Sequence, residues 1–156
     1  MIVPIRLMIK SNQPIDTVEC KIYCNEVEFP TALVDQGEHF DIYQNKNLFY
    51  ATIESVFECE QENNKLAVHW PQKPKADFYE IDDIEIDFFY IDKHRLLKET
   101  SFLQTNESTL QPKPSELGNN YWAPGTLINN PGIMYLTFSL PIASWCFKNL
   151  DDWKSQ

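Results

Sequence analysis

At 156 residues, with 43% hydrophobic and 13% aromatic side chains, the chain has the size of one domain and enough apolar mass for a core, which excludes disorder along its whole length. It carries 13 basic against 23 acidic side chains, a formal net charge of -10, and its arginines are Arg6 and Arg95. That balance repels phosphate backbones and anionic lipid heads, so neither nucleic acid nor a membrane surface is expected as a partner.

In chain order, Ile5, Leu7 and Ile9 alternate with Arg6, Met8 and Lys10, the period-two pattern of a half-buried strand. Ser11 to Pro14 reads as a turn. Val18, Cys20, Ile22 and Cys24 then share one face of a second strand, and Asn25-Glu26 is suited to a hairpin turn into Val27, Phe29, Thr31 and Leu33. Pro30 within that run predicts an edge strand or a bulge, because proline cannot donate to a ladder. From Phe49 to Glu60 the alternation returns: Phe49, Ala51, Ile53, Ser55, Phe57 and Cys59 face in, Thr52, Glu54, Glu58 and Glu60 face out, and Val56 is the exception. Glu62-Asn63-Asn64 reads as a hairpin tip leading into Leu66 to Trp70.

A rigid connector, Pro71 to Lys75, precedes the most distinctive stretch. Asp77 to Asp92 holds seven acids and no base in sixteen positions, interleaved with Ile84, Ile86, Phe88 and Tyr90. This is the pattern of carboxylates displayed on a strand rather than dissolved in a tail. Asp92 is placed to cap a short helix through Leu96 and Leu97. Residues 104–132 read as a long loop region, rich in polar residues, proline and turn chemistry, with Tyr121-Trp122 as exposed rings. Ile133 to Leu140 carries no charge and reads as a central strand. Residues 141–155 fit an amphipathic helix, with Cys146, Phe147, Leu150 and Trp153 near a 3.6 spacing. The expected architecture is a single α+β domain over residues 1–156. It is β-rich, a single antiparallel sheet, strongly twisted or half-barrel, backed by one or two short helices, with an all-β sandwich as the alternative.

The opening MIVPIRLMIK is too short and too interrupted by Pro4 and Arg6 for a secretory leader, and no apolar run approaches the roughly 20 residues of a bilayer span. The expectation is a reducing, cytoplasmic setting in which Cys20, Cys24, Cys59 and Cys146 are thiols. Cys20 and Cys24 lie about 13 Å apart on an extended chain, too far to share one ion. No metal ligand set or cofactor motif is therefore expected. The scattered glycines, at 37, 118, 125 and 132, exclude phosphate cradles of the P-loop or dinucleotide-binding kind. No nucleophile elbow occurs, and His39, His69 and His94 show no companion spacing.

What remains is recognition. Asp82, Asp83, Glu85 and Asp87, with Glu54, Glu58 and Glu60 if the two strands neighbour one another, form a negative surface for a basic protein, anchored by Tyr121 and Trp122 and, in part, Tyr79. The leading expectation is a non-catalytic binding protein, in its most concrete form an immunity or antitoxin protein neutralising a basic bacterial toxin such as a nuclease. Its class features are shared by analogy alone: small, acidic and single-domain. Two alternatives stand beside it. One is a small hydrolase or ligand-binding domain using paired carboxylates such as Glu85 and Asp87 beside Tyr79, Phe88 and Tyr90. The other is an assembly subunit of a phage or secretion machine. Outward charge also has a plain solvating role, keeping sheet edges apart.

Overall fold

The structure, a computed structural model, describes residues 1–92, 102–104, 127–128 and 132–149. Eleven strands are present among them: β1 (Ile2–Ser11), β2 (Lys21–Cys24), β3 (Val27–Phe29), β4 (Thr31–Asp41), β5 (Lys46–Glu58), β6 (Asn64–Trp70), β7 (Tyr79–Ile86), β8 (Phe89–Asp92), β9 (Phe102–Gln104), β10 (Leu127–Ile128) and β11 (Gly132–Phe138). One helix, α1 (Ile142–Asn149), accompanies them among the described residues. The strands form two antiparallel sheets rather than the single sheet expected. The first runs β10-β7-β1-β5-β4, with β8 sharing the outer edge of β7, and the second runs β3-β2-β6-β11-β9.

One core serves both sheets. Val3, Ile5, Leu7 and Ile9 of β1 point inward with Ile53 and Phe57 of β5 and Ile81, Ile84 and Ile86 of β7. They join Ile22 and Cys24 of β2, Leu66, Val68 and Trp70 of β6, Met134, Leu136 and Phe138 of β11, and Ile142, Trp145 and Cys146 of α1. Each large side chain so buried stabilises the fold by about 1.5 to 3 kcal/mol. The predicted alternation of β1 is the one observed, that of β5 holds except at Thr52, which was expected outward and is buried, and Val56 is exposed. The helix differs from expectation. It buries Ile142, Trp145 and Cys146, whereas Phe147 faces solvent. Leu150, Trp153 and the helix expected after Asp92 lie outside the described residues.

The second sheet arises because the chain repeatedly crosses between layers where the sequence suggests hairpins. Asn25 and Glu26, both at positive φ, do form the expected two-residue turn between β2 and β3. After it, Pro30 is the crossing point: β3 is the edge of the second sheet and β4 the edge of the first. Glu62 to Asn64 is a corner and not a hairpin tip, since β5 and β6 belong to different sheets. The corner is held by Asn64, which is fully buried: its side chain accepts from the Glu60 N–H and donates to the Glu60 carbonyl, both at 2.8 Å. Leu140 donates its N–H to the Gln61 carbonyl at 2.7 Å, which ties the approach to α1 to the same corner.

β6 and β11 are central in the second sheet, and their second face is buried too, at Ala67, His69 and Ile133. His69 is packed rather than displayed. Neither of its ring nitrogens finds a hydrogen-bond partner among the described residues. Burial, and secondarily the charge of Lys21, push its pKa below the ordinary 6.5. The folded chain therefore refuses a proton that the unfolded chain accepts. That contribution is intact above the unfolded value and is lost as pH falls below it. The wild-type urea midpoint should drop between about pH 7 and about pH 5.5, and a His69→Leu variant should show a shallower slope over the same window.

Candidate functional site

Because the odd-numbered residues of β1 are locked inward, Arg6 and Lys10 must stand on the outer face of the first sheet. β1 pairs with β5 on one side and β7 on the other. The two acidic strands are thus not neighbours, so the condition for one continuous negative surface of Glu54, Glu58, Glu60, Glu85 and Asp87 is not met. They lie two strand spacings apart, about 10 Å, with the cations of β1 between them. In register, Arg6 faces Glu54 across one ladder and Glu85 across the other. Its guanidinium donates to Asp35 at 2.6 Å, its Nε lies 3.2 Å from Glu54, and Nη1 lies 4.0 Å from Glu85. One step along, Lys10 Nζ lies 3.3 Å from Glu80 and 3.7 Å from Asp82.

Two irregularities set the remaining acids. The register of β7 on β1 shifts between Met8 and Ile9, so Asp82 is an extra residue in its strand. This bulge lets Ile81 and Ile84 both point inward while Asp82 reaches Lys10 and Asp83 lies opposite outward Met8. Asp87 is not on the strand face. With Phe88 it makes the two-residue turn between β7 and β8, at φ 51° and 64°. Glu85 and Asp87 therefore do not form the same-face pair that a glycosidase reading requires. Phe88, a bulky residue in the left-handed region, costs about 1 kcal/mol or more there. Its ring is 80% exposed.

Beside the Arg6 cluster the outer face dips into an open groove of about 430 Å³. Pro4, Pro30, Ala32, Val56 and Phe88 line it, together with Arg6, Glu54 and Glu85. Val56 is 53% exposed at the groove. The arrangement is an apolar trough bordered by carboxylates, with an arginine in their midst. Among the described residues of this face, Asp35, Glu54, Glu80, Asp82, Asp83 and Glu85 outnumber the cations Arg6 and Lys10.

Of the residues singled out from sequence, Asp82, Asp83, Glu85 and Glu54 share this face. Glu58 lies at its end, 2.8 Å from the Met1 ammonium. Glu60 lies beyond β5, in the corner that Asn64 holds. Tyr121 and Trp122 lie outside the described residues. Tyr79 is not an exposed anchor: it is buried, packs 6.3 Å from Trp70, and donates its hydroxyl to Glu19; burial, and secondarily that bond, pushes the phenol pKa up. Arg6, Pro30 and Val56 were missed as site residues, and Phe88 was named only as an aromatic beside a carboxylate pair. The signals were present: Val56 broke the alternation, and Arg6 is one of two arginines in the chain.

Among the described residues no three His, Cys, Asp or Glu side chains are grouped to hold a metal ion, and no helix is long and apolar enough to cross a membrane. No known protein family, curated protein or solved structure matches the chain. Its functional reading therefore rests on geometry.

Arg6 is the organising cation of the site. An Arg6→Met variant keeps the stem and removes the charge that separates Asp35, Glu54 and Glu85. It should lose about 1 kcal/mol of unfolding free energy at low ionic strength, and clearly less in about 1 M salt, where screening acts within a few ångströms. Equal losses at both ionic strengths in urea titrations would show that packing, not charge, is what Arg6 supplies.

Proposed function

We propose that this protein is a non-catalytic binding protein that seats a basic protein partner on the outer face of its first sheet. In its most concrete form it is an immunity or antitoxin protein that covers the cationic substrate cleft of a bacterial toxin, such as a nuclease. The observation that carries the reading is the apolar groove beside Phe88 and Val56, lined among the described residues by the carboxylates Glu54 and Glu85 and the single cation Arg6. Desolvated apolar anchors supply most of the affinity in such contacts, and surrounding charge speeds encounter and sets register.

The pairing of Glu54, Glu85, Glu80 and Asp82 with the chain's own Arg6 and Lys10 alters how the reading works. A partner's lysines do not meet bare carboxylates. They enter an existing ion-pair lattice in which Asp35, Glu54 and Glu85 share the one cation Arg6, so electrostatics contributes chiefly to association rate and the groove to residence time. Phe88 supports the same view. A strained turn with an exposed ring is kept at a folding cost, as recognition surfaces often are.

The test is capture by the tagged full chain from the native cell, followed by kinetics with the isolated partner. A basic partner should lose association rate several-fold at low salt when Glu54→Gln and Glu85→Gln are combined, with little difference at high salt. Phe88→Gly should keep or raise the stability of the fold, because glycine suits a positive φ, yet weaken binding by about 2 kcal/mol or more. An acidic partner, or one whose association at low salt ignores the double substitution, would overturn the reading.

A second reading, an assembly subunit, is favoured by a separate observation. The tip of the β4–β5 hairpin exposes Phe40, Ile42 and Tyr43, away from the groove. If the chain forms stable oligomers in light scattering, and Tyr43→Ser with Ile42→Ser returns it to a monomer, assembly is the better account.

A further inference from the structure

The sequence offers no pairing for the four cysteines, but the fold makes one. Cys24 ends β2 in the second sheet, and Cys59 directly follows β5 in the first. Their sulfurs lie 3.7 Å apart in the core, although 35 residues separate them along the chain. We propose that Cys24 and Cys59 are a peroxide-oxidisable dithiol that closes into a disulfide linking the two sheets.

Three observations carry the proposal. The first is proximity: the contact is sulfur to sulfur, and closing it to a bond of roughly 2 Å needs side-chain rotation with slight backbone adjustment. The second is asymmetry. The two thiols share one hydrogen bond in which either sulfur can donate; with Cys24 donating, the Cys59 pKa falls below the ordinary thiol value and the Cys24 pKa rises in return. In that arrangement Cys59 is the attacking sulfur and Cys24 the resolving one, the division of labour a redox pair needs. The third is location. Cys59 abuts the corner that Asn64 holds and to which Leu140 is tied. A bond there would join the β2–β3 hairpin to the end of the strand carrying Glu54, Val56 and Glu58. Cys20 offers a contrast within the same chain: burial, with a smaller push from the Glu19 charge, raises its pKa to about 12.

Both thiols are buried, which selects the oxidant by size. Hydrogen peroxide is small and neutral and can enter during brief openings, whereas a bulky disulfide cannot. The Cys59 thiolate attacks one peroxide oxygen, the O–O bond breaks, and hydroxide leaves, giving a sulfenic acid on Cys59. The Cys24 sulfur, surrendering its proton, attacks that sulfur. The S–O bond breaks, and the departing hydroxide takes up the proton as water. In total two thiols lose two electrons and two protons, and the peroxide becomes two waters.

The experiment uses the reduced full chain and a Cys20→Ser, Cys146→Ser double variant that retains only the proposed pair. Each is treated with hydrogen peroxide near equimolar ratio, then analysed by intact mass and non-reducing peptide mapping. The expected result is loss of two hydrogens in both proteins, a linked peptide joining Cys24 to Cys59, and reversal by dithiothreitol. Oxidation should also raise the melting temperature by roughly 10 °C, since the bond closes a loop of intermediate length in the unfolded chain. Stepwise addition of oxygen to Cys59 with no linked peptide would overturn the proposal. So would a link that uses Cys20 or Cys146, or failure of the double variant to cross-link while it remains folded.

Discussion

The outer surface of this protein is dictated by the burial of one strand. β1 is central in its sheet, and Val3, Ile5, Leu7 and Ile9 are all withdrawn from water. Slipping that strand by one residue would expose all four and bury Arg6 and Lys10. Four such side chains are worth several kcal/mol together, whereas an exposed ion pair is worth about 1 kcal/mol at most. The core therefore decides where the charges go. The cations are carried to the middle of an acidic face by the hydrophobic alternation that surrounds them.

Local backbone irregularities then refine that face. The bulge at Asp82 accommodates two acids between Ile81 and Ile84 without turning either isoleucine outward. The turn at Asp87 and Phe88 removes an acid from the strand and projects a ring beside the groove. A regular strand through the same residues would carry more negative charge and less apolar surface. What results is a mixed site, in which charge guides approach and apolar contact holds.

The two-sheet arrangement also creates neighbours that no single-sheet topology provides. The corner after β5 brings together Cys59, Asn64, Gln61 and the approach to α1, and it sets Cys24 against Cys59. Exposed groove and buried thiol pair thus lie at the same end of one strand, on its opposite faces. A covalent change at the corner acts on the element that supplies Glu54 and Val56, which gives the fold a physical route between oxidation state and surface.

Much of the fold was legible in the residues themselves. The period-two burial of β1 and β5, the Asn25-Glu26 turn, the central, uncharged β11 and the exposure of Val56 all follow from short-range rules: alternation, turn chemistry and the absence of charge. These involve residues that interact with their own neighbours along the chain. Tertiary structure alone decided which strands share a sheet, that the edge strands expected around Pro30 belong to different sheets, that Asn64 marks a corner rather than a hairpin tip, that β1 separates the acidic strands, and that Cys24 meets Cys59. These depend on pairing between segments tens of residues apart. Period-two alternation fixes the face on which a side chain lies but carries no information about which strand lies next to it.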